Sequence, residues 1–154
     1  MDIHARLKEM GYEMPALNPA VASYVPFKIS GNHVYISGQI PVLNGAMVHA
    51  GMLGKSVTLE QGQKAAQACA LNILAVVNEA VQGDWSRVQF CLKLGGFVNA
   101  APDFTDHSKV INGASDIMAG TLGESGKHTR FAIGVSSLPL GSSVEVDAIF
   151  EITP

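Results

Sequence analysis

Charged residues are scarce in this chain. Of its 154 residues, 15% are charged and 47% are hydrophobic, and the net charge is −3. A small monomer of this composition would leave much apolar surface in water, so we expect an oligomer that buries subunit faces. The 10 basic residues are scattered along the sequence, which argues against the concentrated basic footprint of a nucleic-acid-binding protein.

Long apolar runs are missing as well. No stretch approaches the ~18 uninterrupted apolar residues that a membrane-spanning helix requires. Residues 1–10 mix charges at helical spacing and lack the apolar centre and small-residue cleavage site of a signal peptide. We therefore expect a cytoplasmic protein without a membrane segment.

Residues typical of metal and phosphate sites are also few. Cys69 and Cys91 lie inside apolar segments, where thiols are more often packing residues than a disulfide or a metal pair. The five histidines show no i,i+4 pair and no partner at metal-ligand spacing, so we predict no metal site. Phosphate-binding loops of Walker or Rossmann spacing and the Gly-x-Ser-x-Gly nucleophile motif are absent too.

Turn and capping signals predict an alternation of strands and helices. Gly31-Asn32 and Asn44-Gly45 are typical of tight hairpins between short strands. Thr58 and Gln61 form a capping box that opens a helix running to Val81. A second helix is predicted from residue 105 or 106 to 122, after a strand over 89–99 in which Gly95-Gly96 indicates a bulge or a close backbone approach.

This order of elements predicts the fold class. We expect one α+β domain over residues 1–154, with a mixed sheet and both helices packed on one of its faces. Residues 1–17 are expected to form an N-terminal helical appendage and connector. Its short helix would end at Gly11.

The C-terminal region carries the clearest strand pattern. Val144, Val146 and Ala148 alternate with Glu145 and Asp147, which is typical of a strand with one core face and one polar face. Residues 128–135 predict a second strand, joined to the first by a short turn.

Alternation on that second strand would place a cation beside a carboxylate. If the apolar residues Phe131, Ile133 and Val135 face the core, Arg130 and Ala132 share a face with Glu145. With a four-residue loop at 137–140, Arg130 is a diagonal neighbour of Glu145, about 7–8 Å away. That gap would hold a small anion and a water, whereas a turn centred on Gly141 would separate the pair. From these residues alone, a surface salt bridge is the better explanation.

Two segments resemble the RidA family, also called YjgF and, historically, L-PSP endoribonuclease. The first is Ser30-Gly31-Asn32 with Val34–Pro41, and the second combines Arg130, Leu138-Pro139 and Val144–Ala148. The resemblance extends over roughly 18–152. It implies a chorismate-mutase-like fold and a homotrimer with clefts between subunits. It also implies hydrolysis of reactive 2-imino or enamine acids to 2-oxo acids and ammonia, without a cofactor.

The resemblance also implies roles for single residues. Arg130 falls at the family's substrate-carboxylate arginine, and a guanidinium fork does suit a carboxylate. Glu145 falls at the carboxylate that positions the attacking water. Tyr24 aligns with the tyrosine of a Gly-Pro-Tyr segment, although Ala22-Ser23 precedes it here. Asn112 aligns with an asparagine near the cleft.

One departure leaves two function classes open. The family's Arg-Ser-Cys is Arg130-Phe131-Ala132 here, so the thiol is missing, although the Ala132 carbonyl can still accept a hydrogen bond from water. The first class is an imine deaminase. The second is a non-catalytic module that binds small carboxylic acids, in which Phe131 reshapes the pocket. A ribonuclease, implied only by the older family name, is the least supported because the chain lacks a basic surface.

Overall fold

The computed structural model describes residues 2–19 and 22–154. Within them it forms three α-helices: α1 (Ile3–Glu9), α2 (Leu59–Ala80) and α3 (His107–Leu122). The strands are β1 (Phe27–Ser30), β2 (His33–Gln39), β3 (Val42–Leu43), β4 (Ala46–Met47), β5 (Val88–Asn99), β6 (Thr129–Val135) and β7 (Val144–Ile152). No helix of the described ranges is long and apolar enough to cross a membrane.

A five-stranded mixed sheet is the centre of the molecule. Its strand order is β1-β2-β7-β5-β6, in which only the β5–β6 pair is parallel. The helix α2 packs on β2 and β7, and α3 packs on β5 and β6 and against α2. Both long helices therefore cover one face of the sheet, and the predicted α+β fold class is confirmed. The opposite face, which the two helices leave uncovered, is called the open face below.

Local signals in the sequence explain the elements. Thr58 Oγ1 accepts from the Gln61 amide at 3.2 Å, and Gln61 Oε1 accepts from the Thr58 amide at 3.0 Å, which is the predicted capping box. The turn at Gly31-Asn32 joins Ser30 to its partner His33, as predicted. The predicted turn at Asn44-Gly45 likewise joins β3 to β4.

The helix α1 packs into the core, whereas the sequence predicted an appendage on the surface. Ile3 is 1% exposed and Leu7 is fully buried, and both belong to the same hydrophobic cluster as the sheet. Arg6 Nη1 donates to the Thr121 carbonyl at 2.9 Å, near the end of α3. The helix α1 is thus an integral part of the packing around α3.

The two C-terminal strands are not neighbours, and their predicted pairing is wrong. β5 lies between them: Arg130 of β6 pairs with Leu94, and Glu145 of β7 pairs with Phe97. Because Leu94 and Phe97 are three residues apart, their side chains point to opposite faces of the sheet. Arg130 therefore faces the helices and Glu145 lies on the open face, so the shared face predicted for them is also wrong.

Close packing of α3 explains which side of β6 faces the helices. A Cβ on Gly96 would lie 2.6 to 2.9 Å from side-chain atoms of Ile111, and one on Gly134 would lie 2.6 Å from His107 Nε2. Side chains as large as Phe131 and Ile133 do not fit in this space, so they occupy the open face. The close approach predicted at Gly95-Gly96 is confirmed.

Candidate functional site

Glu145 lies on the open face beside the bulged end of β2. The β2–β7 register shifts between Ile36 and Gln39, and this places Gly38 under the Glu145 carboxylate. A Cβ at Gly38 would overlap Glu145 Oε1 and lie 3.1 Å from its carboxyl carbon. The glycine of the Gly-Gln-Ile-Pro segment therefore leaves the space that the carboxylate occupies.

The environment of Glu145 favours its protonated form. Partial burial raises the pKa of Glu145, and the negative charge of Asp147 raises it further. Burial also raises the pKa of Asp147, although the Gly95 backbone amide and Lys93 oppose this shift. A carboxyl with a raised pKa on a half-buried surface is suited to exchanging a proton with water.

Tyr24 lines a cavity of about 300 Å³ together with Gly38, Gln39 and Leu140. Its side chain is exposed. Buried Asn72 on α2 holds this region in place, because its amide donates to the carbonyls of Ile40 and Val42 at 3.0 and 2.9 Å. Since Gly38 touches Glu145 and also lines this cavity, Tyr24 and Glu145 belong to one part of the surface.

Arg130 belongs to a different part of the surface, the groove between β6 and α3. Its Nη1 donates to Ser115 Oγ at 3.0 Å, and its Nη2 donates to the Ser108 carbonyl at 3.1 Å. Asn112 is exposed on α3, four residues after Ser108 and three before Ser115. Helical periodicity puts these three residues on one face, so Asn112 borders the groove that contains Arg130.

Ala132 and Phe131 lie on opposite faces of β6. Ala132 shares the helix side with Arg130 and packs against the core. Phe131 lies on the open face, where its ring meets Phe97 edge-on at 5.3 Å between centroids. The Lys93 ammonium lies 5.3 Å from the centroid of the Phe131 ring. Phe131 thus packs among open-face residues and is not part of the Arg130 groove.

Five of the six predicted site residues therefore form two sets within one protomer. Tyr24 and Glu145 lie together, Arg130, Asn112 and Ala132 lie together, and the sheet separates the two sets. In the described part of the chain, no group of three or more His, Cys, Asp or Glu side chains is arranged to hold a metal ion.

Sequence reasoning missed Ser115 and His128. His128 Nε2 lies 2.8 Å from Ser115 Oγ, and both residues line a cavity of about 310 Å³ with Arg130. The available signal was the Ser108-Asn112-Ser115 spacing of four and three residues on α3. Only the parallel pairing of β6 with β5 brings that helix face to Arg130.

Comparison with known proteins agrees with this fold and these segments. The model of a family described as "YjgF/chorismate_mutase-like, putative endoribonuclease" matches residues 4–152. Protein TCP17 of Trypanosoma cruzi is 42% identical over 151 residues, which cover 97% of this chain and 94% of TCP17. The α+β domain with a groove along its edge strand therefore belongs to the YjgF/chorismate mutase-like family.

Solved structures give the same result. A protein of unknown function from Agrobacterium tumefaciens superposes with a TM-score of 0.93 and 48% identity, covering 98% of this chain and 92% of that one. TdcF of E. coli, solved with bound serine, has a TM-score of 0.66 and 21% identity, and the match covers 91% of this chain and 94% of TdcF. The TdcF comparison shows a shared fold.

Proposed function

We propose that this protein hydrolyses reactive 2-imino or enamine acids to 2-oxo acids and ammonia in the cytoplasm, without a cofactor. The reaction would take place in clefts between the subunits of a homotrimer. The observation that carries the proposal is a pair of groups: an anchored guanidinium at Arg130 and a half-buried carboxyl of raised pKa at Glu145. The sequence resemblance assigns these two residues to substrate binding and water positioning.

Arg130 is suited to holding the substrate carboxylate. Ser115 and the Ser108 carbonyl each accept one of its N–H groups, and these contacts restrict the side chain. A guanidinium has five N–H donors, so enough remain for a bidentate carboxylate. Holding the acid group orients the adjacent imine carbon for attack.

Glu145 is suited to handling the water. It would take a proton from water as the oxygen adds to the imine carbon, which forms a carbinolamine. That proton goes to the former imine nitrogen. The carbinolamine hydroxyl then gives its proton to the nitrogen through Glu145 as the carbon–nitrogen bond breaks, which releases the 2-oxo acid and ammonia. Because water is the attacking group, this route does not need a thiol at Ala132.

The opposite faces of Arg130 and Glu145 are the reason for proposing a cleft between subunits. The open face presents large apolar side chains. Tyr35 on β2 is 47% exposed, and Ile133 on β6, the partner of Phe97, is 46% exposed. A face of this kind favours burial against another copy of the chain. Arg130 lies on the edge strand β6, where it would meet the Glu145 region of a neighbouring subunit.

The proposal is tested by generating imino acids in situ from several amino acids and following the appearance of 2-oxo acid and ammonia. Purified protein should accelerate both, and Arg130→Ala should abolish the acceleration. Arg87→Ala is the matched control, because in the described chain the Arg87 side chain donates only to the Thr153 carbonyl, and Arg87 lies just before β5, seven residues from the Arg130 partner Leu94. If no imino acid is hydrolysed faster with wild-type protein, the proposal is wrong.

Ala132 favours one alternative function, a non-catalytic module that binds small carboxylic acids. Without the family's thiol, Arg130 would still hold a carboxylate. This alternative predicts tight carboxylate binding that Arg130→Ala removes, with no turnover of any imino acid. Calorimetry with pyruvate and 2-oxobutyrate, run beside the assay above, distinguishes the two functions.

A further inference from the structure

Three side chains form a continuous hydrogen-bonded chain at the β6–α3 groove. Arg130 Nη1 lies 3.0 Å from Ser115 Oγ, Ser115 Oγ lies 2.8 Å from His128 Nε2, and His128 Nδ1 lies 2.6 Å from the Gly126 carbonyl. All three side chains are partly buried, and they line one cavity. These hydrogen bonds link the Arg130 guanidinium to the Gly126 carbonyl, a backbone atom outside β6.

When the His128 imidazole is neutral, the chemistry of the groups gives the hydrogen-bonded chain a single direction. A carbonyl only accepts, so His128 Nδ1 must carry a proton. In the neutral imidazole Nε2 is then bare and accepts the Ser115 hydroxyl proton. The Ser115 lone pairs are left facing Arg130, which only donates. Each member therefore donates to the next, from Arg130 to Gly126.

Close packing fixes the Gly126 carbonyl, at which this series of hydrogen bonds ends. Gly126 is buried, and a Cβ there would overlap the Met118 carbonyl oxygen and lie 2.6 Å from the Met118 carbonyl carbon. The backbone of residue 126 is thus pressed against α3, and its carbonyl has little freedom to move. Arg130, by contrast, is a long side chain on an edge strand and would otherwise sample many rotamers.

We propose that Ser115 and His128 are positioning residues that hold the Arg130 guanidinium in its carboxylate-binding orientation. The inference rests on the proposed function, because it deepens the role of Arg130 there. Neither residue touches the substrate in this arrangement. His128 sets the direction of the Ser115 hydroxyl, and Ser115 holds Arg130.

Steady-state kinetics of matched variants test whether Ser115 and His128 position Arg130. Ser115→Ala and His128→Ala should each raise KM for an imino acid about tenfold and change kcat less than about threefold, because the lost hydrogen bond serves uniform binding of the carboxylate. His128→Gln should restore most of the loss, since a glutamine oxygen can accept in place of Nε2. Ser136→Ala is the control and should behave as wild type, because Ser136 is exposed just after the end of β6 and does not line the cavity that contains Arg130. Equal kinetics for Ser115→Ala and wild type would overturn the proposal.

Nitrogen-15 NMR of the histidine rings tests the hydrogen bonds among Arg130, Ser115 and His128 without requiring turnover. Wild-type His128 should show a protonated Nδ1 and a bare Nε2, and Ser115→Ala should shift only the Nε2 resonance. The Arg130 side-chain resonances should broaden in the same variant. An Nε2-protonated His128 would overturn the proposal even in an active enzyme. Wild-type protein with the expected spectra but no turnover would instead reject the deaminase function and keep the positioning chain.

Discussion

The carboxylate of Glu145 lies directly over the α-carbon of Gly38, and the space between them is too small for a β-carbon. This contact joins β2 to β7 at the bulge that ends their regular pairing. It also explains why glycine occupies position 38, although the φ angle of Gly38 lies outside the left-handed region that favours glycine.

Gly38→Ala should therefore displace the Glu145 carboxylate. We expect imine hydrolysis to fall at least about tenfold, and stability to fall by about 1–3 kcal/mol through overpacking. Steady-state kinetics and urea denaturation measure the two effects. Gly120→Ala is the matched control, because its β-carbon would meet only the flexible end of Met10. Wild-type activity in Gly38→Ala would show that the position of Glu145 does not matter.

The raised pKa of Glu145 predicts how stability depends on pH. The folded state holds the proton at pH values where the unfolded chain, with a pKa of about 4.3, has lost it. The free energy of unfolding should therefore fall as pH rises from that value through the raised pKa of the folded state. Glu145→Gln should reduce this fall, as measured by urea denaturation at fixed protein concentration.

Asp84 provides a control of opposite sign. Hydrogen bonds from the Ser86 side chain and backbone lower the pKa of Asp84, so its contribution to stability is lost as pH falls. Asp84→Asn should therefore lose stability relative to wild type at neutral pH, where Glu145→Gln gains it. Identical pH profiles for Glu145→Gln and wild type would contradict the burial of that carboxyl.

Arg130→Lys tests whether substrate binding needs the planar guanidinium or only a positive charge at this position. An ammonium keeps the positive charge but cannot form the planar fork that reaches Ser115, Ser108 and a carboxylate together. We expect KM to rise about tenfold or more, with little change in the free energy of unfolding. Arg87→Lys is the control. Full activity of Arg130→Lys would mean that charge alone holds the substrate.

Leu7→Ala tests the place of α1 in the core. Because Leu7 is completely buried in the main cluster, its truncation should cost about 2–5 kcal/mol. Lys8→Ala, one residue further along the exposed side of the same helix, should cost little. Equal stabilities of the two variants, measured by denaturation, would mean that α1 is the appendage expected from sequence.

Much of the fold could be predicted because it depends on local chemistry. The capping box at Thr58 and the turns at Gly31-Asn32 and Asn44-Gly45 involve residues that are close in sequence. The core face of β7 was equally clear, because Val144, Val146 and Ala148 alternate with polar residues. Membership of the family was recognisable from short segments for the same reason.

The order of the strands in the sheet could not be predicted from residues that are close in sequence. Consecutive strands usually pair, which favoured a hairpin of β6 and β7. What places β5 between them is a set of long-range contacts, including Gly96 against Ile111 and Gly134 against His107. Arg130 was put on the wrong side for a separate reason: the apolar residues Phe131, Ile133 and Val135 were taken as the core face of β6, and alternation then assigns every other side chain to the opposite face. The helix α1 was misjudged because its partner, α3, is about 100 residues away in sequence.

The central claim is that Arg130 of one subunit acts with Glu145 of another, and mixed oligomers test it most directly. Arg130→Ala and Glu145→Gln proteins, each inactive alone, should be unfolded together in equal amounts and refolded. Random assembly into a closed ring restores both groups at about a quarter of the sites, so about a quarter of wild-type activity should return. No activity above that of the separate variants, in oligomers shown by mass spectrometry to contain both chains, would contradict the account.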